Sequence, residues 1–323
     1  MRIALISTGG TIAMAQKEGA QKSSLALDAK DFVNQLLLGA KDEIEIVEFS
    51  KLPSSNFDSE YAHGLADLIC RTAERSGGII ITHGTDTVEE TSFYVEMIYG
   101  SPTPVVFTGA MMTATQPGYD GLSNLRDAYR VVTSQSSRGR GALIVFNKDI
   151  LSAIHASKVE SERANAFGSV QTGKIGSING QRILYYYEPK GHIRLQNNTT
   201  GKVSLLKMHY DIETDFVEKA FEITDIIVIE CYGSGRIPPK ILPIIEHNDD
   251  KIIILTTRVP GGHLYDEYSY DGSFQDLLQR RVIMSPLNSI KSCLLGRLCL
   301  GNGKDYEETK RIFEYFWQQQ SES

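Results

Sequence analysis

Two threonines, each just past a strand-like run and beside glycine, are the residues of this chain best placed to do chemistry. Thr11 closes the stretch Ser7-Thr8-Gly9-Gly10-Thr11, which follows the apolar run Ile3-Ala4-Leu5-Ile6. Thr85 lies in Thr82-His83-Gly84-Thr85-Asp86-Thr87, which follows Gly78-Ile79-Ile80-Ile81. The glycines let the backbone turn tightly and leave room for a ligand. In an open parallel sheet, ligands bind beyond the carboxyl ends of the strands, where both hydroxyls would project. Two hydroxyls and the Asp86 carboxylate suit a hydrolytic site. Taken singly, each stretch also reads as an ordinary glycine-rich turn. The G-x-G-x-x-G spacing of a dinucleotide site is absent from the first of them.

Hydrolysis of an amide needs a nucleophile, a base for its proton and donors for the tetrahedral oxyanion. A threonine hydroxyl is a weak acid, so a base must stand near it. No histidine neighbours Thr11 in sequence, and His83 reads as a structural part of its motif. A lysine kept neutral by burial can serve, because lysine shifts its pKa readily when desolvated. Nothing in this chemistry requires a metal or an organic cofactor, and no Cys/His cluster has ligand spacing.

The elements that must hold these groups follow from periodicity. Strand-like runs are expected at Ile3–Ser7, Ile44–Phe49, Gly78–Thr82, Val105–Gly109 and Ala142–Asn147. A helix is expected over Tyr61–Ala73, with Ala62, Leu65, Ala66, Ile69 and Ala73 on one face. Another follows Asp86, with Asp86 or Thr87 as its cap. Alternating strands and helices predict a doubly wound, mostly parallel sheet. The polar stretch Gly191–Gly201 breaks the pattern, which restarts at Ile226–Glu230, Ile252–Thr256 and a helical tail, Tyr306–Trp317. The expected architecture is therefore two α/β domains. Residues 1–190 form the larger, catalytic one, 191–212 a linker, and 213–323 a smaller Rossmann-like domain.

The 323 residues are 41% hydrophobic and 23% charged, which is ordinary globular composition. A formal net charge of −7 disfavours a general role on nucleic acid or anionic membranes. No apolar run approaches the roughly 18–20 residues of a membrane span. A cleaved leader would have to remove Thr11, so the expected location is the cytoplasm. Cys70, Cys231, Cys293 and Cys299 show no C-x-x-C spacing and read as buried thiols in a reducing compartment.

T-G-G-T-I-A at Thr8–Ala13 and H-G-T-D-T at His83–Thr87 together resemble the bacterial-type L-asparaginases and glutaminase-asparaginases. Gly109-Ala110-Met111, Asp120-Gly121 and Asn124-Leu125 are similar to a further segment of that family. So are Val145-Phe146-Asn147, Ser157-Lys158 and Ala166-Phe167. More weakly, Gly233-Ser234-Gly235 and Arg258-Val259-Pro260 resemble its second domain. The resemblance implies an amidohydrolase that releases ammonia from the side-chain amide of L-asparagine. Thr11 attacks the amide carbon, and water hydrolyses the acyl-enzyme. Thr85, Asp86 and Lys158 form the second catalytic group, with Thr85 positioning the water or activating Thr11. Lys158 is selected as base by the resemblance alone; by itself it reads as a surface lysine. Pro53-Ser54-Ser55-Asn56-Phe57 takes the place of the family's loop that binds the substrate's α-carboxylate and α-ammonium. Ser54 would donate to the carboxylate, and Asp86 would take the ammonium. Ser55 would be a second substrate-binding residue, where the family often has glutamine or serine. A homo-oligomer, dimer or tetramer, is implied as well.

The chain departs from the family pattern at three places. The loop from Met14 to Ser24 has no tyrosine, Met112-Thr113 replaces an Arg-Pro pair, and Arg236 ends a Gly-Ser-Gly-Arg stretch where asparagine is usual. A guanidinium favours carboxylate or phosphate, so Arg236 is either a substrate contact or half of an inter-subunit salt bridge. Glu267 matches, loosely, an acidic residue given by a neighbouring subunit. These departures leave two alternatives beside asparagine hydrolysis. One is an amidase for glutamine or for a modified asparagine or glutamine; the other is a non-catalytic binding module of the same fold. The amidase subunit of a tRNA-dependent transamidation complex is a third reading, disfavoured by the acidic composition.

Overall fold

The computed structural model describes residues 1–9, 14–16, 23–25, 42–188, 193–265 and 267–321. The chain divides into two compact units, Met1–Arg194 and Leu195–Ser323.

The first unit contains, in chain order, β1 (Arg2–Ser7), β2 (Met14–Gln16), β3 (Ser23–Leu25), β4 (Glu43–Glu48) and helix α1 (Ser59–Ala73). Then come β5 (Gly78–Thr82), α2 (Val88–Ile98), β6 (Val105–Thr108), α3 (Gly121–Thr133), β7 (Ala142–Phe146) and β8 (Asp149–Ser152). The short strands β9 (Ser157–Lys158), β10 (Phe167–Gly168), β11 (Gly176–Asn179) and β12 (Arg182–Tyr185) complete it. Eight of the strands form one sheet in the order β12-β11-β8-β7-β6-β5-β1-β4. From β4 to β7 neighbours are parallel; β8, β11 and β12 add an antiparallel edge. The parallel strands β5 and β7 are buried along their whole length. That is why they read as unbroken apolar runs: helices cover both faces of such a sheet. Leu125, Ala128 and Val131 of α3 pack with Ile80, Val106 and Leu143 of the sheet. Asp58 caps α1, its Oδ1 accepting from Tyr61 N at 2.9 Å.

The expected strand Ala142–Asn147 stops one residue early for a physical reason. Asn147 and Lys148 take positive φ, 47° and 66°, and make the two-residue turn that reverses the chain into β8. Two left-handed residues are what a tight hairpin of this kind requires.

The sheet order sets the place for a site. From β1 the chain goes to β4 on one flank, then crosses to β5 on the other flank and continues to β6 and β7. The order therefore reverses between β1 and β5, and a crevice opens beyond their carboxyl ends. Ser7 and Thr82, the last residues of the two strands, are register partners.

The second unit is a four-stranded parallel sheet, β13 (Val203–Lys207), β14 (Ile226–Cys231), β15 (Ile252–Thr257) and β16 (Val282–Met284), in that order. Helices α4 (Thr214–Ile223), α5 (Leu242–His247), α6 (Phe274–Leu277), α7 (Ser289–Gly301) and α8 (Tyr306–Ser321) belong to it. Val217, Ala220 and Phe221 of α4 share a core with Ile227, Ile229, Ile253 and Leu255. Because β13 falls within 191–212, that stretch supplies an outer strand of the sheet and is not only a linker. None of the four cysteines is in a disulfide; Cys231 and Cys299 are buried, but Cys70 and Cys293 are half-buried, against the expectation that all are interior. Among the described residues no helix is long and apolar enough to cross a membrane.

Candidate active site

The carboxyl ends of β1 and β5 are stitched together. Thr8 N and Thr8 Oγ1 both donate to Thr82 O, at 3.1 and 2.9 Å. His83 N donates to Thr108 O at the end of β6. The backbones are close enough that a Cβ on Gly109 would lie 2.5 Å from His83 O. One on Gly9, at φ +98°, would lie 2.6 Å from Leu52 O. Glycine at these places is thus a requirement of close approach. Thr11 itself lies outside the described residues.

The second threonine is held in a defined group. Lys158 Nζ donates to Thr85 Oγ1 at 3.1 Å and to Asp86 Oδ1 at 3.2 Å. The Lys158 side chain is 21% exposed, so most of its stem is sheltered, whereas Asp86 is 66% exposed. An ion pair with one partner that open contributes about 0–1 kcal/mol to stability. Its role is to place the ammonium. Lys158 sits on a two-residue strand paired with β10, where Lys158 faces Phe167. Its backbone N–H donates to Glu89 Oε2 at 3.0 Å. Glu89 thereby ties the lysine strand to the first turn of α2, the helix that Thr85 and Asp86 lead into. Burial raises the pKa of the adjacent Glu90, and the negative charge of Glu89 adds to the rise.

The expected helix cap is not made. Thr87 occupies the N-cap position of α2 without capping it, and donates its hydroxyl to Ser54 O at 2.9 Å. That bond docks the Pro53–Asn56 segment on the H-G-T-D-T turn. Ser54 is 2% exposed, and its Oγ has no hydrogen-bond partner among the described residues. It is packed so closely that a Cβ on Gly84 would lie 2.5 Å from it. A buried hydroxyl with nothing to bond is costly, and a ligand oxygen would satisfy it. Ser55, by contrast, is exposed, with its hydroxyl 3.5 Å from Asn56 Oδ1.

His83 is wholly buried, with Nδ1 2.7 Å from Gly84 O and its ring edge-on to Phe57. Burial pushes its pKa down to about 4, and the bond to Gly84 O pulls weakly the other way. The imidazole is therefore neutral at neutral pH and acts as a wedge behind the turn. In the unfolded chain a histidine takes its proton near pH 6.5. Between pH 6.5 and about 4 the unfolded state then holds more protons, so stability falls as pH falls through that window, by up to roughly 3 kcal/mol. His83→Asn keeps a donor for Gly84 O but does not titrate. Urea midpoints at pH 7 and 4.5 should diverge less in the variant than in the wild type; equal divergence would remove His83 as the cause.

Asp120 and Asn124 are structural. Asp120 accepts from Met111 N and Met112 N, and Asn124 bridges Gly109 O to Asn147 N. Arg236 lies in the second unit, its guanidinium 5.3 Å from the Tyr268 ring centroid. Glu267, in the same unit, accepts from Tyr265 Oη at 2.7 Å. Among the described residues no three His, Cys, Asp or Glu side chains are grouped to hold a metal ion. The structure brings together Thr85, Asp86 and Lys158, the group that the resemblance implies. Sequence reasoning misses Glu89, whose only signal was a carboxylate in the first turn of a helix.

The family model described as "Asparaginase, N-terminal" matches residues 2–191. The chain belongs to the asparaginase family. The model described as "Glutaminase/Asparaginase C-terminal domain" matches residues 202–313. A probable L-asparaginase of Deinococcus radiodurans is 33% identical over 322 residues, 97% of each chain. Among solved structures, the thermostable L-asparaginase from Thermococcus kodakarensis matches with a TM-score of 0.87 at 27% identity, covering 97% of both chains. A probable cytoplasmic L-asparaginase from Campylobacter jejuni matches with a TM-score of 0.86 at 26% identity, covering 97% of this chain and 99% of that one. The asparaginase-family fold accounts for both the eight-stranded sheet and the separate parallel sheet.

Proposed function

We propose that this protein hydrolyses the side-chain amide of L-asparagine to L-aspartate and ammonia, with Thr11 as nucleophile. The observation that carries the reading is Lys158 Nζ held between Thr85 Oγ1 and Asp86 Oδ1 at the reversal point of the sheet. Thr11 adds to the amide carbon, and ammonia leaves with a proton. Water, oriented at Thr85, then cleaves the acyl-enzyme. Lys158 serves as base when unprotonated, and Asp86 fixes it. Asp86 is also open enough to take the substrate ammonium, while the Ser54 hydroxyl, without a hydrogen-bond partner among the described residues, meets the α-carboxylate. Family membership and relatives named L-asparaginase support the same substrate. A second reading, a glutamine or a carboxylate-bearing asparagine derivative as substrate, rests on Arg236. Assembly as a homodimer or homotetramer and residence in the cytoplasm belong to the same proposal.

The test is coupled ammonia release from L-asparagine, D-asparagine, L-glutamine and N-acylated or β-amide derivatives. Free L-asparagine is expected to react with kcat/KM of roughly 10⁴ M⁻¹s⁻¹ or more. Turnover confined to a derivative would replace asparagine as the substrate. Silence on every amide would favour a binding module.

A further inference from the structure

Lys158 is held at both ends by one short piece of chain. At the far end, Nζ donates to Thr85 Oγ1 at 3.1 Å and to Asp86 Oδ1 at 3.2 Å. At the near end, the backbone N–H donates to Glu89 Oε2 at 3.0 Å. Thr85, Asp86 and Glu89 all belong to the turn after β5 and the first turn of α2.

The near-end bond follows from the strand pairing. Val159 N donates to Ala166 O at 2.7 Å, so these two residues form a hydrogen-bonded pair across the β9–β10 hairpin. Bonded and non-bonded pairs alternate along an antiparallel ladder. Lys158 and Phe167, the next pair, therefore face each other without ladder bonds, and the Lys158 N–H points away from β10. A donor turned out of the ladder needs another partner, and Glu89 supplies it. The helix dipole favours a carboxylate in the first turn of α2 whatever it touches. It does not account for an Oε2 that reaches a backbone donor 69 residues away.

This bond bears on where the ammonium stands. β9 has only two residues and cannot fix its own direction. On the β10 side, Phe167 packs on Phe146 at the end of β7, with ring centroids 4.6 Å apart. On the β9 side, Glu89 ties the root of the lysine to α2. The stem between root and Nζ is a flexible four-carbon chain. One of the two acceptors at its tip, Asp86, is open to solvent and holds the ammonium weakly. The root must therefore be fixed as well.

We propose that Glu89 is a positioning residue, setting where Lys158 Nζ stands by holding the Lys158 backbone. The proposal rests on Lys158 being the base of the reaction. Glu89 acts through geometry and not through charge, so an uncharged oxygen at the same reach should serve as well. A reacting group misplaced by about 1 Å loses up to about 100-fold in rate, and loss of one of two holds should produce part of that.

The experiment compares Glu89→Ala, Glu89→Gln, Glu89→Asp, Lys158→Met and the Glu89→Ala/Lys158→Met double variant in steady-state hydrolysis, each with a thermal melt. Glu89→Ala leaves the Lys158 N–H without its acceptor and is expected to lower kcat roughly 10-fold, with KM within about two-fold. Glu89→Gln keeps an oxygen at the same reach and should retain most of the rate. Glu89→Asp keeps the charge on a shorter stem and should fall with alanine. In the Lys158→Met background, Glu89→Ala should cost nothing further, because the group it positions is already gone. A normal kcat in Glu89→Ala overturns the proposal. A loss in Glu89→Gln equal to that in Glu89→Ala also overturns it, since charge would then be what matters. So does a further loss in the Lys158→Met background, which would place the effect of Glu89 elsewhere. If Glu89→Ala does not fold, Glu89→Gln and Glu89→Asp decide on the same terms, and equal rates in the two overturn the proposal. Lys158→Met separates this proposal from the reading it rests on. If it is inactive while Glu89→Ala is normal, only the positioning role fails; if it turns over normally, the base assignment fails and the positioning role with it.

Discussion

Thr11→Ala and Lys158→Met should each lower kcat/KM for the amide substrate by about 10³-fold or more, and the double variant should be little worse than either. A loss of 10³ corresponds to about 4 kcal/mol of transition-state stabilisation. That is what removal of a nucleophile or of a positioned acid–base group takes away. Methionine retains the apolar stem of Lys158 and removes only the ammonium. The ion pair lost with it has an Asp86 partner that is 66% exposed, and is worth about 0–1 kcal/mol. The Lys158→Met protein should therefore melt within a few degrees of the wild type, and its loss of rate can be read as chemistry. Losses that multiply would mean that Thr11 and Lys158 act in independent steps. A Lys158→Met protein with normal turnover would eliminate Lys158 as the base.

The strands that end at the site were legible because their chemistry is local. Gly78–Thr82 is an apolar run closed by a turn, and its bounds in the structure are those expected from the sequence. The antiparallel edge was not legible. β8, β11 and β12 have four residues each, and their pairing depends on a turn at Asn147-Lys148 and on partners some 25–30 residues away, such as Asp149 with Ser177. The site shows the same division. Thr85 and Asp86 share a motif, but Lys158 reaches them across 72 and 73 residues from a two-residue strand. No spacing signals that approach; the resemblance supplied it. Thr87 carried a misleading signal, since a threonine before a helix reads as a cap, yet its hydroxyl serves Ser54 O. Ser54 looked like one serine of an ordinary turn. Its burial arises only when that turn meets Gly84, and its oxygen then has no partner among the described residues.

That meeting makes Gly84→Ala the other substitution with a large expected effect. Gly84 has no positive φ, so alanine tests space and not backbone conformation. The new methyl would lie 2.5 Å from Ser54 Oγ, 2.7 Å from Ser54 Cβ and 3.2 Å from Ser54 N. Rotating the hydroxyl away relieves the first contact and neither of the others. The backbone of Ser54 must move, although its carbonyl is held by Thr87 Oγ1 at 2.9 Å and by Phe57 N at 3.1 Å. Overpacking of this kind costs about 1–3 kcal/mol, and the displaced serine should raise KM at least about 10-fold, since a hydrogen bond to a charged group contributes about 1.5–3 kcal/mol. Ser54→Ala separates the two consequences. It removes the ligand hydroxyl without adding bulk, so KM should rise similarly while the melting temperature changes little, because the oxygen removed has no hydrogen-bond partner among the described residues. If both variants keep a normal KM, Ser54 does not touch the substrate carboxylate, and Pro53–Asn56 is scaffold for the H-G-T-D-T turn alone.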